Sequence, residues 1–282
     1  MTIAAYKLQF RSELAERYSI AEIDSILSYL VEKTTGLNRW EQRTHEESLS
    51  KESQIYLDTA INHLRTGMPY QQIMGETSFY GLHFFVSQHV LIPRPETEEL
   101  VELAIQTIKQ SGLENAKISI LDIGTGSGII PIVLKKHFPN ALVCAVDFSE
   151  DALVVAKKNA SFNQVDILFE HADYLKQNLS SQYDIIISNP PYIGQNEKSE
   201  IEASVQNFEP NLALFSPSDD PLIFYRKIAM DCAHFLHANG LVFLEINQKL
   251  GKETLQLFEN VLSESYLIKD LSGNDRFVYG RK

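Results

Sequence analysis

Cysteine is nearly missing from this 282-residue sequence. Only Cys144 and Cys232 occur, far apart. A disulfide framework and a thiolate zinc site both need more sulfur than that, so the expected setting is reducing and cytoplasmic. Long apolar runs are missing too. None approaches the ~20 residues that cross a bilayer, and no membrane partner is expected. The opening MTIAAYKLQFRSELAERY carries acids where a signal peptide would be basic and then apolar. Basic charge is short: 25 Lys and Arg stand against 37 Asp and Glu, a net charge of −12. Phosphate-dominated binding runs on clustered Lys and Arg. No such block exists here, which counts against direct contact with nucleic acid. His234 and His237 lie three apart on an expected helix with no third ligand in view. They read as surface histidines, and no metal site is expected.

What is present is an ordinary globular balance, 44% apolar and 22% charged residues. Residues 1–75 read as a small helical domain. Ile20, Ile23, Ile26, Leu27 and Leu30 recur at helical spacing, and Thr34-Thr35-Gly36 breaks the pattern. A further helix runs through Ile55 and Leu64 and stops at Gly67-Met68-Pro69. TSFYGLHFFVSQHVLI, residues 77–92, is aromatic and β-branched around Gly81. It predicts a β-hairpin, so 76–94 reads as a connector. Pro95 and neighbouring acids then open a helix that Gly112 ends.

From 117 onward strand and helix patterns alternate. KISILDIG, ALVCAVD, VDILFEHAD, YDIIISN and GLVFLEI predict strands. Helices are expected between them, among them PLIFYRKIAMDCAHFLHANG, and KETLQLFENVLSE after the last. YLIKDL and RFVYGR close the chain as an antiparallel pair around SGND. Continuous apolar strands alternating with helices predict an α/β domain over 95–282, a mostly parallel sheet covered on both faces.

The first of these strands ends in LDIGTGSG. Gly124-Thr125-Gly126-Ser127-Gly128 forms a strand-to-helix turn in which glycine allows positive φ and close ligand approach. A helix N-terminus follows and favours an electronegative group. The dinucleotide fingerprint needs G-x-G-x-x-G, but the sixth position here is Ile129. A P-loop needs Gly-Lys-Ser/Thr, which is missing. The turn therefore argues against NAD and ATP. The second strand ends in Asp147, placed to accept from ribose hydroxyls. The third ends in Asp173-Tyr174, where the carboxylate can take an adenine amino group and the ring can stack or edge against the base. Taken singly, Asp147 also reads as a helix cap beside Ser149, and Asp173 as a turn residue. Together, three strand ends facing one crevice favour a bound nucleoside.

The fourth strand end is Asn189-Pro190-Pro191-Tyr192. Two prolines cannot extend a sheet interior, and a plain turn is one reading. The other is a grip on a planar NH2 group. Asn189 would accept one proton through its side chain, Pro190 would accept the other through its backbone carbonyl, and Tyr192 would pack flat on the plane.

GTGSG, Asp147 and NPPY together resemble the class I S-adenosylmethionine-dependent methyltransferases (Rossmann-like, seven-stranded) that act on amide or amino nitrogen. PYQQIMGETSFYGLHFFVSQHVLIPRPETEELVE (69–102), FEPNLAL (208–214) and DLSGNDRFVYGR (270–281) resemble the bacterial HemK/PrmC family more narrowly. NPPY by itself is shared with nucleic-acid amino methyltransferases; the PRPETE segment is the more specific sign. SPSDDP at 216–221 departs from the glycine-rich turn expected there. The resemblance implies methylation of the side-chain amide nitrogen, N5, of the glutamine in the Gly-Gly-Gln motif of class-1 release factors. It implies S-adenosylmethionine as cofactor, with Gly124, Thr125, Gly126, Ser127, Gly128, Asp147, Asp173, Tyr174 and Asn189 around it. Asn189 and Pro190 would be catalytic, and Asn189, Pro190, Pro191 and Tyr192 would hold the glutamine. The helical N-terminus would recruit the protein substrate. A ribosomal-protein glutamine methyltransferase and a DNA or RNA amino methyltransferase are the alternatives. The latter should carry a basic recognition module.

Overall fold

The computed structural model describes Met1 to Lys282, apart from the side chain of Gln195. The chain forms two compact units. Met1–Glu76 with Glu202–Phe208 makes the first, and Thr77–Ile201 with Glu209–Lys282 the second.

The first unit contains α1 (Ile3–Leu14), α2 (Ile20–Thr35), α3 (Glu41–Thr44), α4 (Lys51–Thr66) and α5 (Tyr70–Met74). Local chemistry sets the ends of α2. Ser19 and Glu22 form a reciprocal capping box, and Gly36 closes the helix at φ +74°, where a side chain would be strained. Tyr6, Phe10, Ile23, Leu30, Leu57 and Leu64 meet in one buried cluster. Arg11 grips Asp24 with two hydrogen bonds of 2.9 and 2.6 Å, tying α1 to α2. The segment 202–208, counted by sequence with the α/β domain, belongs to this unit. Gln72 Nε2 donates to the Phe208 carbonyl at 2.5 Å.

The second unit opens at Thr77, within β1 (Glu76–Phe79), which pairs with β2 (Leu82–Phe85) in a hairpin shorter than the 77–92 expected. The turn is Tyr80-Gly81, both at positive φ. Pairing ends at Phe85, and 86–94 runs on without strand structure as far as Pro95, which starts α6 (Pro95–Gln110).

The alternation follows as β3 (Ser119–Ile123), α7 (Ile129–His137), β4 (Leu142–Asp147), α8 (Glu150–Phe162), β5 (Leu168–His171) and β6 (Tyr183–Ser188). Short helices α9 (Ala203–Phe208) and α10 (Asn211–Leu214) come next. Then come α11 (Ile223–Phe235), β7 (Leu236–Glu245), α12 (Gly251–Gln256), β8 (Glu264–Lys269) and β9 (Asp275–Arg281). Seven strands form one sheet in the order β5-β4-β3-β6-β7-β9-β8, parallel except for β9. This is the fold of the class I methyltransferases.

Two helix ends differ from the sequence reading. α11 stops at Phe235, and the LHANG tail is the start of β7. Leu236 pairs with Tyr183 and Leu241 with Ile185, so the residues between bulge out, with Asn239 at φ +65°. An Asn-Gly pair at a left-handed turn is a stronger local signal than helical periodicity. α12 ends at Gln256 rather than running to 264, because Leu257 to Leu262 close in turns that bury Phe258 and Leu262.

Alternating strand residues fill two cores. Ile120, Val143, Ile185, Ile187, Leu241 and Phe243 face α6 and α7. Leu121, Ile123, Val146, Ile186, Val242 and Leu244 face α11. Each such aliphatic side chain contributes ~1.5–3 kcal/mol when removed from water. The chain leaves β3 first toward β4 and β5, then crosses back to β6 on the other side. The carboxyl ends of β3 and β6 therefore flank the point where strand order reverses, the usual ligand crevice of an open α/β sheet.

Candidate functional site

That crevice is a cavity of about 800 Å³. Gly124, Thr125, Gly126, Ser127, Asp147, Asp173, Tyr174, Asn189 and Pro191 line it. Gly128, Pro190 and Tyr192 are not among the lining residues.

The glycine turn is built from both ends. The amides of Gly124 and Thr125 donate to the Val146 carbonyl at 2.9 and 3.1 Å, pinning β3 to β4. Gly124, Gly126 and Gly128 sit at φ +74°, +55° and +80°. A Cβ on Gly126 would meet nothing within 4 Å, so this glycine serves the backbone and leaves open space over it. Gly128 has a different job. Its Cβ would lie 3.1 Å from the Ala156 Cβ, so it lets α7 pack on α8. Asn159, fully buried, donates to the Ser127 carbonyl at 2.8 Å and exchanges hydrogen bonds with the Phe85 backbone at 2.7 and 3.0 Å. It locks the turn to the hairpin.

Asp147 ends β4 and accepts Gly126 N–H and Ser149 N–H, each at 2.8 Å, one on each oxygen. Ser149 rather than Asp147 caps α8, with its hydroxyl 3.2 Å from Ala152 N. Burial raises the Asp147 carboxyl above its ordinary value, against the pull of these N–H donors. Asp173 accepts from Lys176 at 2.8 Å and from Leu175 N at 3.2 Å. Tyr174 is 6% exposed, packed in the α11-side core, and its hydroxyl donates to buried Asp231 at 2.7 Å.

NPPY follows β6. Ser188 Oγ donates to the Ile123 carbonyl at 2.7 Å and fastens this strand end to the glycine turn. Asn189 Nδ2 donates to Thr97 Oγ1 at 3.1 Å. Asn189 Oδ1 makes no hydrogen bond among the described residues. Thr97 Oγ1 in turn donates to Glu245 Oε2 at 2.8 Å, and Tyr192 donates to Glu245 Oε1 at 3.2 Å. Thr97 and Glu245 are 2% exposed. The sequence reading assigned neither a role. The available signal was a lone acid inside the apolar run LVFLEI.

The segments 92–98 and 209–214 meet through one buried group. Glu209 accepts from Arg94 at 2.5 Å and from Ile92 N at 2.9 Å. SPSDDP forms a self-satisfied turn, with Asp220 accepting Leu222 N at 3.0 Å and Ser218 Oγ accepting Asp220 N at 3.2 Å. Among the described residues no group of three His, Cys, Asp or Glu is placed to hold a metal, and no helix is long and apolar enough to cross a membrane.

Comparison with known proteins gives the family of the whole chain. Residues 101–208 match the model of the methyltransferase small domain. A release factor glutamine methyltransferase of Flavobacterium psychrophilum is 44% identical over 282 residues, covering 99% of this chain and 98% of that one. The chain belongs to the release factor glutamine methyltransferase family. The Streptococcus pneumoniae member is 37% identical over 280 residues, again across 99% of this chain and 98% of its own length. Among solved structures, a methyltransferase from Pyrococcus furiosus superposes with a TM-score of 0.51 at 16% identity, over 73% of this chain and 91% of that one. That likeness carries the fold alone. Membership in the family makes the chain a methyltransferase.

Proposed function

We propose that this enzyme methylates the side-chain amide nitrogen of the glutamine in the Gly-Gly-Gln motif of class-1 release factors, with S-adenosylmethionine as methyl donor. The observation that carries the reading is Asn189. Its Nδ2 is tied to Thr97, which leaves Oδ1 for a ligand in the cavity bounded by GTGSG and Asp147. The residues present fit the cofactor. The space over Gly126 is open, the Asp147 carboxylate keeps lone pairs for hydroxyls, and the cavity has room for a nucleoside joined to an amino acid. When bound, S-adenosylmethionine supplies an electrophilic methyl group on a cationic sulfur.

The chain's own part is to hold the amide. An amide nitrogen is a weak nucleophile because its lone pair is delocalised. Asn189 Oδ1 and the Pro190 carbonyl accept the two protons of the substrate NH2 and draw density onto nitrogen. Fixed carbonyl dipoles favour the positive charge that develops there. Orientation of this kind is worth up to ~7–11 kcal/mol. The nitrogen pair would form the new N–C bond as the methyl–sulfur bond breaks and leaves its electrons on sulfur; nitrogen would then shed a proton to solvent, so no general base is required. Gly124 to Gly128, Asp147, Asp173 and Tyr174 hold the cofactor side of the cavity, and the helical unit recruits the protein substrate. The setting is cytoplasmic, with no membrane or nucleic-acid partner.

Asn189→Ala tests the reading. Its turnover should fall by ~10²–10³-fold, while cofactor binding by calorimetry stays close to wild type. Turnover at the wild-type rate would refute the role given to Asn189.

A further inference from the structure

We propose that Glu245, acting through Thr97, is a positioning residue that decides which end of the Asn189 side-chain amide faces the cavity. The inference rests on the function proposed above. An ionised carboxylate only accepts hydrogen bonds. The single hydroxyl proton of Thr97 is therefore committed to Glu245 Oε2, at 2.8 Å. Thr97 Oγ1 can then only accept from Asn189, and it does so from Nδ2 at 3.1 Å. The polarity passes along the chain Glu245–Thr97–Asn189 and leaves Oδ1 turned out. An acceptor at that point welcomes an amide NH2 and repels a carboxylate, so the same relay selects glutamine over glutamate.

Glu245 is 2% exposed and is held from several sides. Tyr192 donates to its other oxygen at 3.2 Å, and Tyr225 on α11 donates to its backbone carbonyl at 2.9 Å. Arg276 on β9 favours the charged form, and Glu96 on α6 opposes it. Burial outweighs these influences and pushes the Glu245 carboxyl up to about 7. Below that pH Glu245 gains a proton and can donate to Thr97. The hydroxyl of Thr97 is then released toward Asn189, whose amide turns over and presents NH2 to an incoming NH2. Activity is lost on the acid side.

The test uses the full-length enzyme with a purified class-1 release factor. Thr97→Val should lower kcat by ~10²-fold, with KM and cofactor dissociation constant near wild type and a melting temperature lowered by the lost donor to buried Glu245. Thr97→Ser, which keeps the hydroxyl, should restore most of that loss. Wild-type kcat should fall below a pH of about 7, and Glu245→Gln should lack that acid limb. In the ligand-free protein the side-chain NH2 resonances of Asn189 should shift through the same pH range in wild type and stay flat in Glu245→Gln. A normal kcat in Thr97→Val, no rescue by Thr97→Ser, or an acid limb that survives Glu245→Gln would each overturn the proposal. A fully active Asn189→Ala would instead overturn the functional reading beneath it.

Discussion

Replacing Asp122 by asparagine should stabilise the α/β unit at alkaline pH and leave it less favoured at acid pH. Asp122 sits on β3 two residues before the first glycine of the turn, fully buried. Neither of its carboxylate oxygens has a hydrogen-bond partner among the described residues. Burial pushes its carboxyl from 3.8 up to about 7; the nearby Thr125 hydroxyl eases the shift and Asp147 adds to it. The sign follows from linkage. Between 3.8 and 7 the folded state holds this proton and the unfolded state does not, so wild-type stability falls as pH rises through that window. Each pH unit in it contributes ~1.4 kcal/mol. From pH 5 to pH 8 the window covers about two units, so the advantage of the asparagine variant over wild type should grow by ~3 kcal/mol. Glu245 is displaced in the same direction, but it is present in both proteins and cancels in the difference. Urea unfolding followed by circular dichroism at the two pH values measures it. Trp40, the only tryptophan, lies in the helical unit, so its fluorescence would follow the other body. A stability difference that does not change with pH would refute a buried, unpartnered carboxylate at this position.

Asp147→Ala should weaken S-adenosylmethionine binding by ~1.5–3 kcal/mol, the value of hydrogen bonds to a charged acceptor. An unchanged dissociation constant by calorimetry would contradict its place beside the ribose. Gly128→Ala should destabilise the fold by ~1–3 kcal/mol, from strain at φ +80° and from the 3.1 Å approach to Ala156. A melting temperature equal to wild type would refute that role.

The parts of the site that sequence displayed are those where backbone geometry constrains residue type. Positive φ at Gly124, Gly126 and Gly128 forces glycine, and Pro190-Pro191 ends a strand by losing two N–H groups. Asp147 was visible because it closes an apolar strand. The mostly parallel character of the sheet followed from the alternation of apolar runs, since buried parallel strands need helical crossovers; the strand order did not. What stayed hidden joins distant positions. Thr97 and Glu245 are 148 residues apart, and Asn159 reaches Phe85 across 74. Each looks like an ordinary polar residue until folding supplies its partner. Asp122 stood inside a motif read only for its glycines. The α11 boundary was missed because His237 to Gly240 continue a helical pattern and the bulge against β6 is set by tertiary pairing.

The central claim is methyl transfer to a release-factor glutamine, and a labelled-methyl assay tests it most directly. The enzyme and S-adenosylmethionine would meet a class-1 release factor, ribosomal proteins and DNA separately, followed by peptide mass mapping. The account predicts one added methyl on the glutamine of Gly-Gly-Gln and none on the other substrates. Label on a ribosomal protein or on DNA, with the release factor untouched, would contradict it.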